Sequence, residues 1–150
     1  EFPHLKYPPF VANIRSAFSG AWGDLRMDGY IAGKKVISKT MSGKGADQQF
    51  HLAADDRELI GDGIDATRVV MRVTDEFGGA RPFATGAIAL SVTGPGEIIG
   101  DNPFSLLGGV GAVWIKTRQA PGIIRLTAKH PTLGSKSVEI RVTRAPAVSI

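Results

Sequence analysis

The stretch Asp62-Gly-Ile-Asp-Ala-Thr-Arg-Val-Val-Met-Arg-Val-Thr-Asp-Glu-Phe-Gly-Gly79 constrains this chain more than any other. It opens on Asp62-Gly63, a turn dipeptide, because glycine accepts the positive φ that such turns need. From Thr67 the side chains alternate: Val69, Met71 and Val73 share one phase, and Arg68, Arg72 and Thr74 share the other. A period of two over this length predicts a strand with one buried and one wet face. Asp75-Glu-Phe-Gly-Gly79 then stops it with a second turn. The apolar phase needs a second layer to cover it, so this is read as the central strand of a sandwich.

The same grammar recurs along the chain. Asp24 to Ile31 and Lys35 to Met41 alternate around Ala32-Gly33-Lys34, which predicts a hairpin with a short turn. Ser42-Gly-Lys-Gly45 reads as a linker, and a domain boundary is expected there. Residues 1–45 would then be an N-terminal extension and residues 46–150 a sandwich domain. Phe50, Leu52 and Ala54 give the sandwich its first strand, and Leu59-Ile60 a short continuation. Ile88, Leu90 and Val92 form the next buried phase, Glu97-Ile-Ile a short one, and Asp101 to Gly109 a long loop. Val110 to Thr117 is a strand carrying Trp114. Ile124 to Ala128 and Val138 to Val142 follow, separated by a turn from His130 to Ser135. Turn signals every 8–12 residues predict an all-β, antiparallel immunoglobulin-like β-sandwich of about seven strands. Pro3, Pro8 and Pro9 break any helix in the first twenty residues.

Composition removes several function classes. With no Cys, disulfides and thiolate metal sites are excluded. That absence does not fix a compartment. No apolar run approaches a membrane span. The net charge is +4, but residues 1–45 carry seven Lys/Arg against three Asp/Glu, and the remainder carries eleven of each. A nucleic-acid domain needs a basic stripe on its ordered core, so no nucleic-acid partner is expected. The N-terminus, Glu1-Phe-Pro-His-Leu-Lys, has neither an initiator Met nor a signal pattern, and reads as the cut end of something longer.

The candidate chemistry is sparse. Asp55, Asp56, Glu58, Asp62 and Asp65 form the densest group of oxygen ligands, yet their spacing departs from a calcium loop, and turn capping is the expected role. Glu97 and Asp101 flank a turn but lack a deep cleft that would raise one pKa for glycoside hydrolysis. His4, His51 and His130 are scattered: His51 takes an outward phase and His130 sits in a turn. Gly94-Pro-Gly and Gly108-Gly-Val-Gly lack the Lys-Ser/Thr of a phosphate loop, and are expected to serve tight turns and close backbone approach. No catalytic residue, cofactor or metal is assigned. Trp22, Phe104 and Trp114 remain as a surface for carbohydrate or for a neighbouring domain, with Trp22 and Phe104 in loops. For Trp114 the favoured place is the sandwich core.

Phe50 to Gly78, Val92-Thr-Gly-Pro-Gly-Glu-Ile-Ile-Gly-Asp-Asn-Pro103, Gly108 to Thr117 and Pro121 to Ala128 together resemble the C-terminal immunoglobulin-like domain of glycoside hydrolase family 2, the β-galactosidase and β-glucuronidase group. Gly23 to Val36 is similar to the closing hairpin of the β-sandwich that precedes this domain in multidomain members. The resemblance covers roughly residues 20–144. It implies that the catalytic glutamates lie on a (β/α)₈ barrel of about 250 residues, which is absent here, so none transfers onto this chain.

The chain is therefore expected to be an inert accessory domain whose partners are other domains of the same enzyme. An unpaired hairpin is marginal alone, so it is expected to dock on the sandwich or to form a homo-oligomer with another copy. Two rival readings stand beside this one: a carbohydrate-binding module with exposed aromatics, and a structural repeat of a bacterial surface adhesin of the invasin type.

Overall fold

Alternation becomes strand throughout the computed structural model, which describes residues 23–146. Two strands form a separate antiparallel ribbon, β1 (Leu25–Ile31) and β2 (Lys34–Met41). Ala32 and Gly33 turn the chain between them with φ of 48° and 74°. The other nine build the sandwich: β3 (Gln49–Ala54), β4 (Glu58–Gly61), β5 (Ala66–Thr74), β6 (Gly86–Thr93), β7 (Gly96–Ile99), β8 (Phe104–Leu106), β9 (Val110–Thr117), β10 (Gly122–His130) and β11 (Gly134–Arg144). One sheet runs β4-β11-β10-β6-β8, and the other β3-β5-β9-β7.

The core lies between the two sheets and is made of the predicted phases. Val69, Met71 and Val73 of β5 and Val113 and Ile115 of β9 face Ile88, Leu90, Ile124, Leu126, Ile140 and Val142 of the opposite sheet. Each such side chain contributes about 1.5–3 kcal/mol through removal from water. The strand over Ala66–Thr74 is indeed interior to its sheet, between β3 and β9.

Several details depart from expectation. Nine strands form the sandwich where about seven were expected, because β8 lies inside the stretch read as a long loop and β4, read as a continuation of the first strand, belongs to the opposite sheet. The side-chain amide of Asn102 accepts from Leu90 N (2.9 Å) and donates to Leu90 O (2.8 Å), extending the edge of β6 beside β8. The sheets are not wholly antiparallel either, since β4 pairs β11 in parallel. Thr74, expected on the wet phase, is 2% exposed. The chain folds back at Ala80 to bridge it, and the His51 ring bonds its hydroxyl.

The joint after the ribbon is held by polar contacts. Ser42 N donates to Asp75 Oδ2 (3.4 Å), Lys44 Nζ sits 3.1 Å from Glu76 Oε1, and Arg81 pairs with Asp47 (2.9 Å) while donating to Gly45 O. The turn closing β5 thus clamps the segment predicted as a linker. Among the described residues, neither ribbon strand packs along a strand of the sandwich.

Candidate functional site

The inward phases are spent on the core, which leaves the outer faces and the loops for chemistry. The outer face of β3-β5-β9-β7 follows from register. Arg68 lies opposite Trp114, Trp114 opposite Ile99, His51 opposite Arg72, and Ala53 opposite Val70, which in turn faces Ala112. Small side chains along the middle row leave a hollow of about 500 Å³, floored by Ala53 and Val70 and edged by His51, Asp55, Arg68, Arg72, Thr74 and Gly78. Arg68 is anchored by Asp55 at 2.8 Å. His51 is fixed by Thr74 Oγ1 at 2.9 Å. Arg72 has no carboxylate partner among the described residues.

Of the three aromatics singled out from the sequence, one reaches this surface. Trp114 is 49% exposed, which corrects its expected place in the core. Val113 and Ile115 take the inward phase of β9, so the indole between them must face out. Phe104 begins a strand rather than sitting in a loop. Its ring packs against the core and covers Gly111 so closely that a Cβ there would collide with it. Phe104 is partly buried by that packing. Trp22 lies outside the described residues, as does His4.

The remaining candidates have structural occupations. Asp62 Oδ1 accepts from Ile64 N and Asp65 N, both at 2.8 Å, and these amide bonds hold its carboxyl below the usual range. Asp65 accepts from Ile60 N (2.7 Å), and no group of three or more His, Cys, Asp or Glu among the described residues converges to hold a metal. Lys116, bonded to Glu97 at 2.7 Å, keeps the Glu97 carboxyl below its ordinary value, the opposite of what a general acid needs. Gly94 and Gly109 have φ of 87° and 73°, and a Cβ on either would strike a carbonyl, that of Ile123 or Arg81.

His130 is a residue whose setting the sequence hid. It ends β10 rather than standing in a turn, is 3% exposed, and lies 5.4 Å from the Phe50 ring. Its Nδ1 accepts from Thr132 N and Leu133 N, both at 3.2 Å, while Nε2 is buried without a partner. Burial pushes its pKa down, against a smaller upward pull from Asp47.

Residues 50–139, nearly the whole sandwich, match glycoside hydrolase family 2 C-terminal domain 5. The chain belongs to that family. A β-galactosidase of Thermoanaerobacter pseudethanolicus is 35% identical over 144 residues, which is 91% of this chain and 19% of that protein. One from Thermoanaerobacterium thermosulfurigenes is 31% identical over 70% of the chain and 16% of its own length. The chain therefore spans less than a fifth of these two relatives. A crystal structure of a β-glycosidase from Bacteroides vulgatus superposes with a TM-score of 0.65 at 20% identity, covering 80% of this chain and 17% of that one. The D00-D0 domain of intimin shares the fold less closely, with a TM-score of 0.54 at 18% identity, over 73% of this chain and 56% of that chain. At such identities the likeness is one of fold alone.

Proposed function

We propose that this glycoside hydrolase family 2 C-terminal domain is a non-catalytic accessory module of a larger enzyme acting on β-galactosides, with residues 1–45 belonging to a preceding β-sandwich and residues 46–150 forming the module. The observation that carries this reading is the amphipathic ribbon. Leu25 pairs Met41, Met27 pairs Lys39, and Gly29 pairs Ile37, so Leu25, Met27, Ile37 and Met41 share one face. All four are exposed. The opposite face is the more polar, with Arg26, Asp28, Ser38 and Thr40 beside Val36 and with Asp28 bonded to Ser38, while Lys35 and Lys39 border the apolar residues on the first face. A two-stranded ribbon has no core of its own, and an apolar face left open marks a contact surface. Another sheet of the same polypeptide fits it, since relatives extend well beyond the matched region.

Amide hydrogen exchange tests the reading. The ribbon should exchange fast in the 150-residue chain and become protected in the full-length enzyme, and Met27→Lys with Ile37→Lys should abolish that protection. Equal exchange in both contexts would refute it. Hydrolysis of a chromogenic β-galactoside by the purified chain would refute the non-catalytic part. The same apolar face also supports a second reading, pairing with another copy, which predicts a concentration-dependent dimer that those two substitutions dissolve.

A further inference from the structure

The hollow on the β3-β5-β9-β7 face is left unused by the packing role just argued, which places the contact surface on the ribbon. Its composition is distinctive. The floor is small and apolar, two guanidinium groups and an imidazole stand at its edges, and one carboxylate, Asp55, is already spent on Arg68. Arg68 and Arg72 share one phase of β5 and so stand about 13 Å apart at strand rise. The indole of Trp114 lies one strand over from Arg68, half exposed. The hollow, about 500 Å³ and open to solvent on one side, suits an extended ligand lying across the sheet rather than an enclosed small molecule.

We propose that the sheet face holding this hollow binds an acidic oligosaccharide, with the carboxylate of a uronic acid unit on Arg72 and the face of a pyranose two units along stacked on Trp114, which stands beside Arg68 just outside the hollow. Arg72 supplies a planar fork that matches a carboxylate, and it is uncommitted among the described residues. His51, held through Thr74, adds a fixed polar group beside it. The indole offers a flat apolar platform at the sheet surface. An extended peptide is the poorer occupant, because it would pair with the backbone along the open edge of β3, whereas the guanidinium groups and the indole stand on the face of the sheet. The inference rests on the accessory-module reading only in giving the ligand a glycan source.

The test titrates the 150-residue chain, in a Trp22→Phe background that leaves Trp114 as the single indole, with trigalacturonate, with neutral galactotriose and with a poly-glutamate peptide. Trigalacturonate is expected to quench the fluorescence saturably, with neutral galactotriose binding at least about tenfold more weakly. Arg72→Gln should lose about tenfold in affinity for trigalacturonate and leave galactotriose unchanged, Trp114→Ala should lose binding by calorimetry, and Arg125→Gln on the opposite sheet should change neither. Unaltered far-UV circular dichroism of each variant separates lost binding from lost fold. Equal binding of the neutral sugar, equal binding of poly-glutamate, or full binding by Arg72→Gln would overturn the proposal. So would silence in every titration, which leaves the ribbon-exchange result, and with it the accessory-module reading, untouched.

Discussion

Lowering the pH from about 7.5 to about 5.5 is expected to destabilise the sandwich through one side chain, His130. Its ring is buried with Nδ1 receiving the amides of Thr132 and Leu133, so a proton on Nδ1 would break both bonds. The folded pKa is therefore held below the ordinary 6.5 by burial, with Asp47 pulling weakly upward. In the unfolded chain the ring protonates near its ordinary value. The unfolded state thus binds more protons below about pH 6.5, and stability is full above that pH and lost as pH falls toward the folded pKa. For a single group the loss at pH 5.5 is at most about 1.4 kcal/mol, which lowers Tm by roughly 3–6 °C in a chain of this size. The control is His130→Asn, because a side-chain oxygen can accept the amides two and three residues on, as Asp62 does from Ile64 and Asp65. That variant loses the ring packing against Phe50 and starts from a lower Tm, but its stability should be flat across the window. Urea unfolding at several pH values reads both proteins. Equal losses in wild type and His130→Asn would refute the assignment, as would an imidazole NMR signal titrating at its ordinary pKa in the folded chain.

Four further outcomes follow from contacts that hold the scaffold. Thr117→Val removes a buried hydroxyl whose one proton is shared between Ile60 O (2.9 Å) and Asp65 O (3.1 Å), so urea unfolding should show a loss of about 1–3 kcal/mol. Gly94→Ala forces a left-handed conformation on a residue with a Cβ, costing at least about 1–2 kcal/mol before the clash with Ile123 O, and its midpoint should fall accordingly. Arg81→Ala should open the joint at residues 42–47 to limited proteolysis while leaving the sandwich melt nearly unchanged, since it removes both the Asp47 pair and the bond to Gly45 O. Burial raises the Asp75 pKa, but the amides of Gly79, Phe77 and Ser42 and the charge of Arg81 outweigh it, so the net shift is downward. The Asp75 contact with Ser42 should then persist until the pH falls below 3.8, and the Glu76 contact with Lys44, whose carboxyl is likewise held down, until it falls below 4.5, so an acid protease should begin to cleave the joint only below about pH 4.5.

Which residues the sequence disclosed, and which it hid, follows one physical division. Period-two alternation is a local property, so Val69, Met71, Val73, Val113 and Ile115 could be set on the inward phase from their neighbours alone. The same alternation put His51, Arg68 and Arg72 on the outward phase of their strands, and those three edge the hollow. What it could not supply was the register that lays β3 beside β5 and turns three scattered side chains into one surface. The bulk of Trp114 favours the core, but its phase decides, since its neighbours Val113 and Ile115 point inward. Phe104, Thr74 and His130 failed for a different reason, since each is covered by a segment its local pattern does not contain. Gly111 makes room for the Phe104 ring, the fold-back at Ala80 closes over Thr74, and the Phe50 ring lies against His130. On a sandwich the core spends the inward phase, so a binding surface on the sheets must use the outward one. An outward residue that is large, aromatic or unpaired is then the signal worth following, and Trp114 with Arg72 is where this chain carries it.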